Sequence, residues 1–211
     1  MSTIIIFAGG TKVPPSTVDE LPPPDLVIAA DSGYQIARNL GYEVDTLIGD
    51  MDSVGSLDDI PATTNIVRFP ADKDATDLEL AFELAVREQP QRIVLVGAEG
   101  GRFDHEMSAV AMICSDRWAY VPEIDWVRSD STSHVIRDAR RVQGDPGDLF
   151  SLIPVGGDAT GVTTTGLQWE LDGDTLHAGS SRGVSNVLLH TEILIKVADG
   201  VLLGVFPGHG G

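Results

Sequence analysis

Six short, mostly apolar runs constrain the fold of this chain more than any other feature, and most of them end at a glycine or an aspartate. They occupy residues 4–8, 26–30, 46–48, 65–69, 93–96 and 124–127. Runs with so little polar alternation are typical of strands buried on both faces, as in parallel sheets. Helical patterns lie between several of them, which predicts a doubly wound, mostly parallel α/β sheet.

Three segments between these runs have the apolar spacing of helices, at residues 33–40, 76–87 and 103–118. The second is the clearest, because its apolar residues recur on a single face. Asp74 is its predicted N-cap, and Pro90 lies just beyond its end.

The pattern changes between residues 131 and 148, after which helical periodicity is absent. Short β-type segments follow, at residues 149–153, 161–165, 168–171, 187–191, 192–197 and 201–206. Asp172-Gly173 and Asp199-Gly200 are hairpin signals between them. We therefore predict an α/β domain over residues 1–138 and a sandwich-like all-β domain over residues 139–211.

The charge balance excludes some classes of partner. Fourteen Lys and Arg residues against 32 Asp and Glu residues give a formal net charge of -18. Such a surface repels nucleic acids and anionic lipids, so we expect neither a nucleic-acid nor a membrane partner. Solubility, for example in a salty cytoplasm, explains most of these acids, and a functional site needs only a handful of them.

Cysteine usage and apolar stretches indicate the compartment. Cys114 is the single cysteine and lies in an apolar run, which predicts a buried small hydrophobe. One cysteine excludes an intrachain disulfide and a thiolate metal cluster, as is typical of a reducing compartment. The chain starts without a signal-peptide pattern, and no apolar stretch approaches the roughly 20 residues that span a bilayer. We expect a cytoplasmic location.

Acidic residues follow three of the predicted strands where each strand ends, and an Arg and an Asp follow a fourth. They are Asp31 after the second strand, Asp50 and Asp52 after the third, Asp72, Asp74 and Asp77 after the fourth, and Arg102 and Asp104 after the fifth. The carboxyl ends of parallel strands share one edge of the sheet, where ligands bind. Carboxylates gathered there repel each other unless they hold protons or share a cation. Carboxylate oxygens suit Mg²⁺, which also binds phosphate and water, so a nucleoside triphosphate is the natural co-ligand.

Each of these segments also has an ordinary structural interpretation. Asp31-Ser32-Gly33 and Asp50-Met51-Asp52 are typical of turns, and Asp74-Ala75-Thr76-Asp77 is typical of a helix cap, although a cap also directs backbone N–H groups at an anion. Gly100-Gly101 fits a flexible turn, but it also lets backbone approach phosphate, and the guanidinium of Arg102 matches phosphate oxygens. The sequence has no Walker A and no G-x-G-x-x-G pattern, which disfavours a dinucleotide-dependent oxidoreductase.

Taken in order, these motifs resemble those of the thiamine pyrophosphokinase (thiamine diphosphokinase) family. The matching segments are residues 31–33, 49–53, 74–77, 100–105, 151–155, 162–169 and 183–186. The resemblance implies an N-terminal α/β catalytic domain, a C-terminal β-sandwich, and a homodimer with thiamine bound where two chains meet. It also implies that ATP and thiamine give AMP and thiamine diphosphate, with Mg²⁺ as cofactor.

The resemblance further implies roles for individual residues. Asp31, Asp50, Asp52 and Asp77 match the catalytic carboxylates, and the last three of them would hold Mg²⁺. The nucleotide and substrate side would comprise Ser32, Gly33, Asp74, Thr76, Gly100, Gly101, Arg102 and Asp104, and the thiamine side Ser185 and Asn186. Arg102 is also a catalytic candidate, because a guanidinium stabilises charge on a transferred group. Asp31 and Asp77 are alternative acceptors for the hydroxyl proton. Trp169 is a candidate for stacking on thiamine, and equally for a core or interface aromatic.

Two other functions stay open at this point. One is a related pyrophosphokinase that acts on another small alcohol, such as a hydroxymethylpterin. The other is a non-catalytic sensor of thiamine or nucleotide. The four matched aspartates favour an enzyme, because a sensor does not need a full metal cluster.

Overall fold

The computed structural model describes residues 2–52, 59–70 and 72–208, so Ser53 of the matched 49–53 segment lies outside the described residues. The chain forms two compact units. The first contains the residues through Met112 together with Tyr120–Ser129, and the second contains Ile113–Ala119 and the residues from Asp130 onward.

The first unit contains a parallel sheet built from the six predicted strands. Their bounds are β1 (Thr3–Ala8), β2 (Leu26–Ala30), β3 (Thr46–Gly49), β4 (Asn65–Arg68), β5 (Arg92–Gly97) and β6 (Glu123–Val127). The spatial order is β6-β5-β1-β2-β3-β4, and each neighbouring pair is parallel. This confirms the predicted fold class for the N-terminal part of the chain.

Both faces of this sheet are covered, which explains why its strands do not alternate in polarity. One buried cluster joins alternate residues of the central strands to the first helix, among them Ile5, Phe7, Val27, Ala29, Val94, Val96, Ile36 and Ala37. The intervening residues, such as Ile4 and Ile6, are also buried. A parallel strand with no solvent-facing side reads as a continuous apolar run.

The helices in the described part of the first unit are α1 (Gly33–Asn39), α2 (Asp77–Arg87) and α3 (Phe103–Ile113). Short 3-10 helices occupy Pro15–Glu20 and Asp116–Trp118. Helix α3 is therefore shorter than predicted, because Ser115 adopts an extended conformation and its Oγ accepts from the Arg117 N–H. None of the described helices is both long and apolar enough to cross a bilayer.

The predicted N-cap of α2 is wrong by two residues. Thr76 takes that position in an extended conformation, and its Oγ1 accepts from the Glu79 N–H at 3.2 Å. A cap must immediately precede the first helical residue for its side chain to reach back to an unpaired N–H, and Asp74 lies too early and is exposed.

The second unit is a sandwich of two antiparallel sheets. Its strands are β7 (Thr132–Ile136), β8 (Ala139–Gln143), β9 (Leu149–Pro154), β10 (Ala159–Thr165), β11 (Asp174–Leu176), β12 (Asn186–Val187), β13 (Glu192–Lys196) and β14 (Leu202–Phe206). Their orders are β12-β9-β14-β7 and β11-β10-β13-β8. A buried cluster contains side chains of both sheets, including Phe150, Leu152, Leu202, Val162 and Ile195. Cys114 belongs to this unit and is buried as predicted, and burial raises the pKa of its thiol to about 12.

Three details of this unit differ from the sequence prediction. Strands β7 and β8 were not predicted; β7 pairs with β14, and the residues of both strands belong to the second unit. The segments 168–171 and 187–191 are largely not strand. Asp172-Gly173 does precede a strand that pairs with β10, but Asp199-Gly200 joins β13 to β14, which lie in different sheets.

Candidate active site

A cavity of about 880 Å³ lies in the first unit at the carboxyl ends of its parallel strands. Its wall is formed by residues that follow β1 and β2, the start of α2, the loop between β5 and α3, and the first turns of α3. The strand that follows β1 in the chain, β2, lies on one side of β1 along the sheet, toward one edge. The strand that follows the neighbouring β5, β6, lies toward the opposite edge. Such a switch point is where open α/β sheets bind ligands, and the volume suits a small-molecule site.

Three of the predicted carboxylates meet at this edge of the sheet. One ligand oxygen each from Asp31, Asp50 and Asp52 lies within 4.8 Å of the others. The Asp31 N–H donates to the Ile48 carbonyl at 2.8 Å, and the Asp52 N–H donates to Asp50 Oδ1 at 3.1 Å. Asp31 (φ 49°) and Met51 (φ 72°) have left-handed backbone conformations, which cost about 1–3 kcal/mol each and cluster at functional sites.

The surroundings of Asp31 favour a bound cation. Burial raises the pKa of Asp31; the Ser32 backbone N–H opposes the rise, and the nearby charges of Asp77, Asp50 and Asp52 add to it. Asp31 Oδ1 is also buried without a hydrogen-bond partner among the described residues. An orphan acceptor among like charges is what a bound cation would satisfy.

Asp77 lies next to this group but has a different partner. Its Oδ1 is 3.1 Å from Lys73 Nζ, as an i, i+4 ion pair at the start of α2, and Lys73 Nζ also donates to the Pro70 carbonyl at 3.3 Å. Of the predicted metal set of Asp50, Asp52 and Asp77, the first two converge with Asp31, and Asp77 lies beside them with its Oδ1 near Lys73. The residue spacing could not show this, since Asp77 reaches the site from a helix.

The donor set of Asp31, Asp50 and Asp52 fits Mg²⁺. The three side chains supply hard carboxylate oxygens close enough together to share one ion, and one of these oxygens is an unpaired buried acceptor. Mg²⁺ binds through a few protein carboxylates and leaves its other positions to water and phosphate. The first residues of α2 and α3 also line the cavity, and helix N-termini favour anions.

The loop between β5 and α3 holds the predicted phosphate-side residues. Its backbone has positive φ at Gly97, Ala98, Gly100 and Gly101. Arg102 follows, and its Nε donates to Asp104 Oδ1 at 3.1 Å, so both side chains pair with each other on the cavity wall and stay largely exposed. This pairing raises the pKa of Arg102 and lowers that of Asp104. A phosphate group would compete with Asp104 for the guanidinium.

The structure separates the other predicted nucleotide-side residues into two groups. Ser32 and Thr76 line the cavity together with Gly100 and Gly101. Gly33 does not: it is buried, and a Cβ atom there would lie 2.1 Å from the Phe7 carbonyl oxygen. Asp74 is exposed and lies outside the cavity wall.

The predicted thiamine-side residues lie in the second unit. Ser185 has a left-handed backbone (φ 59°), and its N–H donates to Ser151 Oγ at 3.0 Å. The side chain of Asn186 is buried; its Oδ1 accepts from the Trp169 N–H at 3.1 Å, and its Nδ2 donates to the Trp169 carbonyl at 2.8 Å. Asn186 therefore anchors Trp169, whose side chain is 58% exposed. This exposure argues against the core interpretation of that aromatic.

Some cavity residues had no role in the sequence interpretation. Gly9 and Gly10 follow β1. The principle that identified Asp31, that ligands bind at the carboxyl ends of parallel strands, would have identified them too. Lys73, Glu99 and Glu106 also line the wall. Their positions depend on pairing with side chains distant in sequence or on helix geometry, so no local motif marks them.

The fold and the site together define a class of protein. It has an α/β unit with a cluster of carboxylates at the carboxyl ends of its parallel strands, and a second unit that is an antiparallel sandwich. Residues 20–120 match the family model "Thiamin pyrophosphokinase, catalytic domain", and residues 133–202 match "Thiamin pyrophosphokinase, vitamin B1 binding domain". The chain belongs to the thiamine pyrophosphokinase family, as the ordered motifs indicated.

Individual relatives agree with this assignment. Thiamine pyrophosphokinase of Bacillus subtilis is 27% identical over 96% of this chain and 97% of its own length. Thiamine pyrophosphokinase 1 of Oryza sativa subsp. japonica is 30% identical over 78% of this chain and 66% of its own length. The crystal structure of the Bacillus subtilis protein superposes with a TM-score of 0.87, covering 99% of this chain and all of that one at 24% identity, which shows the fold.

Proposed function

We propose that this protein transfers the pyrophosphoryl group of ATP to the hydroxyl of thiamine, giving thiamine diphosphate and AMP. One observation carries the proposal: Asp31, Asp50 and Asp52 converge beside a cavity of about 880 Å³ in a chain that matches both family models. The transfer is an in-line attack of the alcohol oxygen on the β-phosphorus, in which AMP is the leaving group and Asp31 or Asp77 accepts the hydroxyl proton. Such transfers depend mainly on positioning and charge neutralisation.

The residues of the first unit divide these tasks. Asp31, Asp50 and Asp52 would hold Mg²⁺, with Asp77 beside them, and the ion when bound would neutralise phosphate charge. The Gly100-Gly101 backbone and the first turns of α2 and α3 receive the phosphates. Arg102 exchanges its Asp104 partner for a phosphate oxygen as charge develops on the transferred group.

The direct test supplies the purified protein with Mg-ATP and thiamine. We expect AMP and thiamine diphosphate in equal amounts, separated by chromatography, and neither product when thiamine or Mg²⁺ is left out. ADP as the nucleotide product would refute pyrophosphoryl transfer.

The same assay separates the two alternatives. Turnover with a hydroxymethylpterin but not with thiamine would place the protein among pyrophosphokinases of another alcohol. Tight binding of ATP and thiamine without AMP formation would identify a sensor. The grouped carboxylates support the enzyme, because binding alone does not require such mutual repulsion.

The second unit supplies the thiamine side in this scheme. Exposed Trp169 is held by Asn186 and offers a flat aromatic face to a cationic ring. Ser185 precedes this anchor in a constrained turn. These features support thiamine binding by Ser185, Asn186 and Trp169.

We further propose that two copies associate in the cytoplasm. Large apolar side chains are exposed in both units, including Phe103 and Met107 on α3 and Val184 and Leu189 in the second unit. Exposed apolar groups of this size support a protein–protein contact. The single buried cysteine supports a reducing compartment, and the net charge of -18 opposes nucleic-acid partners.

Lys73 offers a test of how the site balances charge. Lys73→Met should weaken Mg-ATP binding about tenfold, or about 1.4 kcal/mol, because the cavity wall loses the positively charged ammonium group that contacts phosphate. Binding of free Mn²⁺ should instead become tighter, because Asp77 loses the ammonium group that competes with a metal ion. Fluorescent-nucleotide titration and Mn²⁺ titration measure the two effects. Lys196→Met, at an exposed lysine of β13, is the matched control. Unchanged Mg-ATP affinity would remove Lys73 from the site.

A further inference from the structure

Glu99 is a buried carboxylate in the loop between β5 and α3. Only 4% of it is exposed, yet it lies on the cavity wall. Its Oε2 accepts from Arg128 Nε at 3.1 Å, and its Oε1 accepts from the Ser129 backbone N–H. A buried carboxylate with a paired guanidinium and a backbone donor is satisfied by the protein. Glu99 is therefore not an orphan ligand of the kind that Asp31 presents.

Arg128 connects this loop to α3. Its Nη2 lies 3.4 Å from Glu106 Oε2, and its guanidinium lies over the Trp126 ring at 5.1 Å. Glu106 also contacts the loop, because its Oε1 accepts from the Gly100 N–H at 2.7 Å. Two successive loop residues, Glu99 and Gly100, are thus linked through Arg128 and Glu106 to the end of β6 and to the first turns of α3.

The loop needs such support because its backbone is strained. Ala98 has φ 57° without being glycine, and the preceding Gly97 and the nearby Gly100 also have positive φ. The residues after β1 also fit closely against the loop: the Thr11 N–H donates to the Glu99 carbonyl at 2.7 Å, and a Cβ at Gly10 would lie 2.1 Å from the same oxygen. Strained backbone persists only where its surroundings determine it.

We propose that Glu99, Arg128 and Glu106 are positioning residues that hold the loop from Gly97 to Arg102 in the conformation that receives the nucleotide phosphates. This inference rests on the proposed function, because it deepens the role of the same loop. The network fixes the conformation of the loop backbone and the direction in which the Arg102 side chain extends from it. It therefore increases the affinity for Mg-ATP and contributes nothing to the affinity for thiamine.

The test uses Glu99→Gln and Arg128→Lys in the full-length protein. The amide of Glu99→Gln keeps an acceptor for Ser129 but loses the charge that Arg128 pairs with. The ammonium of Arg128→Lys keeps the charge but cannot span Glu99 and Glu106 as a guanidinium does. We expect each variant to raise the Kd of a fluorescent Mg-ATP analogue and the KM for Mg-ATP about tenfold, while the KM for thiamine stays within about twofold. Arg141→Lys is the matched control, because Arg141 forms an exposed ion pair with Glu192 in the second unit.

The two hypotheses fail in different ways. Equal nucleotide Kd for the variants and the unmodified protein would overturn the positioning role, even if the Tm falls. A parallel rise of both KM values would overturn it as well, because it would indicate a general loss of structure. If the unmodified protein binds the nucleotide but forms no AMP, the proposed function is wrong, and the nucleotide Kd values still decide the role of Glu99 and Arg128.

Discussion

Replacing Asp52 by asparagine should lower kcat by at least about a hundredfold while the protein stays folded. The amide keeps the size of the side chain but removes one of the three charges that converge with Asp31 and Asp50. The backbone bond from the Asp52 N–H to Asp50 Oδ1 does not involve the altered group. Because the carboxylates repel each other without a cation, the Tm in EDTA should be unchanged or higher. Turnover at saturating Mg-ATP and a thermal melt measure the two effects.

A neighbouring aspartate supplies the control for this prediction. Asp72 is exposed and lies outside both the carboxylate group and the cavity wall, so Asp72→Asn should keep normal turnover. Near-normal turnover of Asp52→Asn at low Mg²⁺ would show that the metal role assigned to this group is wrong. Loss of turnover in Asp72→Asn as well would indicate a general effect of lowering negative charge.

Gly33→Ala should destabilise the first unit by about 3 kcal/mol, with a fall in Tm of about 6–12 °C. A Cβ at this position would lie 2.1 Å from the Phe7 carbonyl oxygen and 2.8 Å from the Ala8 Cα. Both atoms belong to the backbone of β1 in the middle of the sheet, which cannot move aside as a flexible side chain would. Differential scanning calorimetry measures the change.

Gly157→Ala is the matched control, because a Cβ there has open space and the residue lacks positive φ. It should leave the Tm nearly unchanged. If Gly33→Ala keeps its stability but loses Mg-ATP affinity, Gly33 contacts the nucleotide, as the resemblance implied, and its tight packing is not its main role.

The parallel sheet could be predicted because burial on both faces leaves a local signature. The central strands β1, β2, β3 and β5 are buried apolar runs; β2 is followed by Asp31 and β3 ends at Gly49, whereas the edge strand β4 is partly exposed. Strands β7 and β8 left no such signature. Their burial alternates, as in Ala139–Gln143, because one face of each packs in the sandwich.

The sequence by itself therefore determined the parallel α/β class of the first unit, the family, and the positions of Asp31, Asp50 and Asp52 at the ends of their strands. Only the tertiary structure decided which carboxylates converge, because Asp31 and Asp50 meet through the pairing of β2 with β3, whereas Asp77 at the start of α2 pairs with Lys73, which precedes that helix. The same holds for the Glu99–Arg128 pair, whose members lie 29 residues apart and become neighbours because β5 and β6 are adjacent. Local apolar patterns in the sequence show where a strand ends. Distances between side chains depend on the register of paired strands and on packing, and a local sequence pattern carries no information on either.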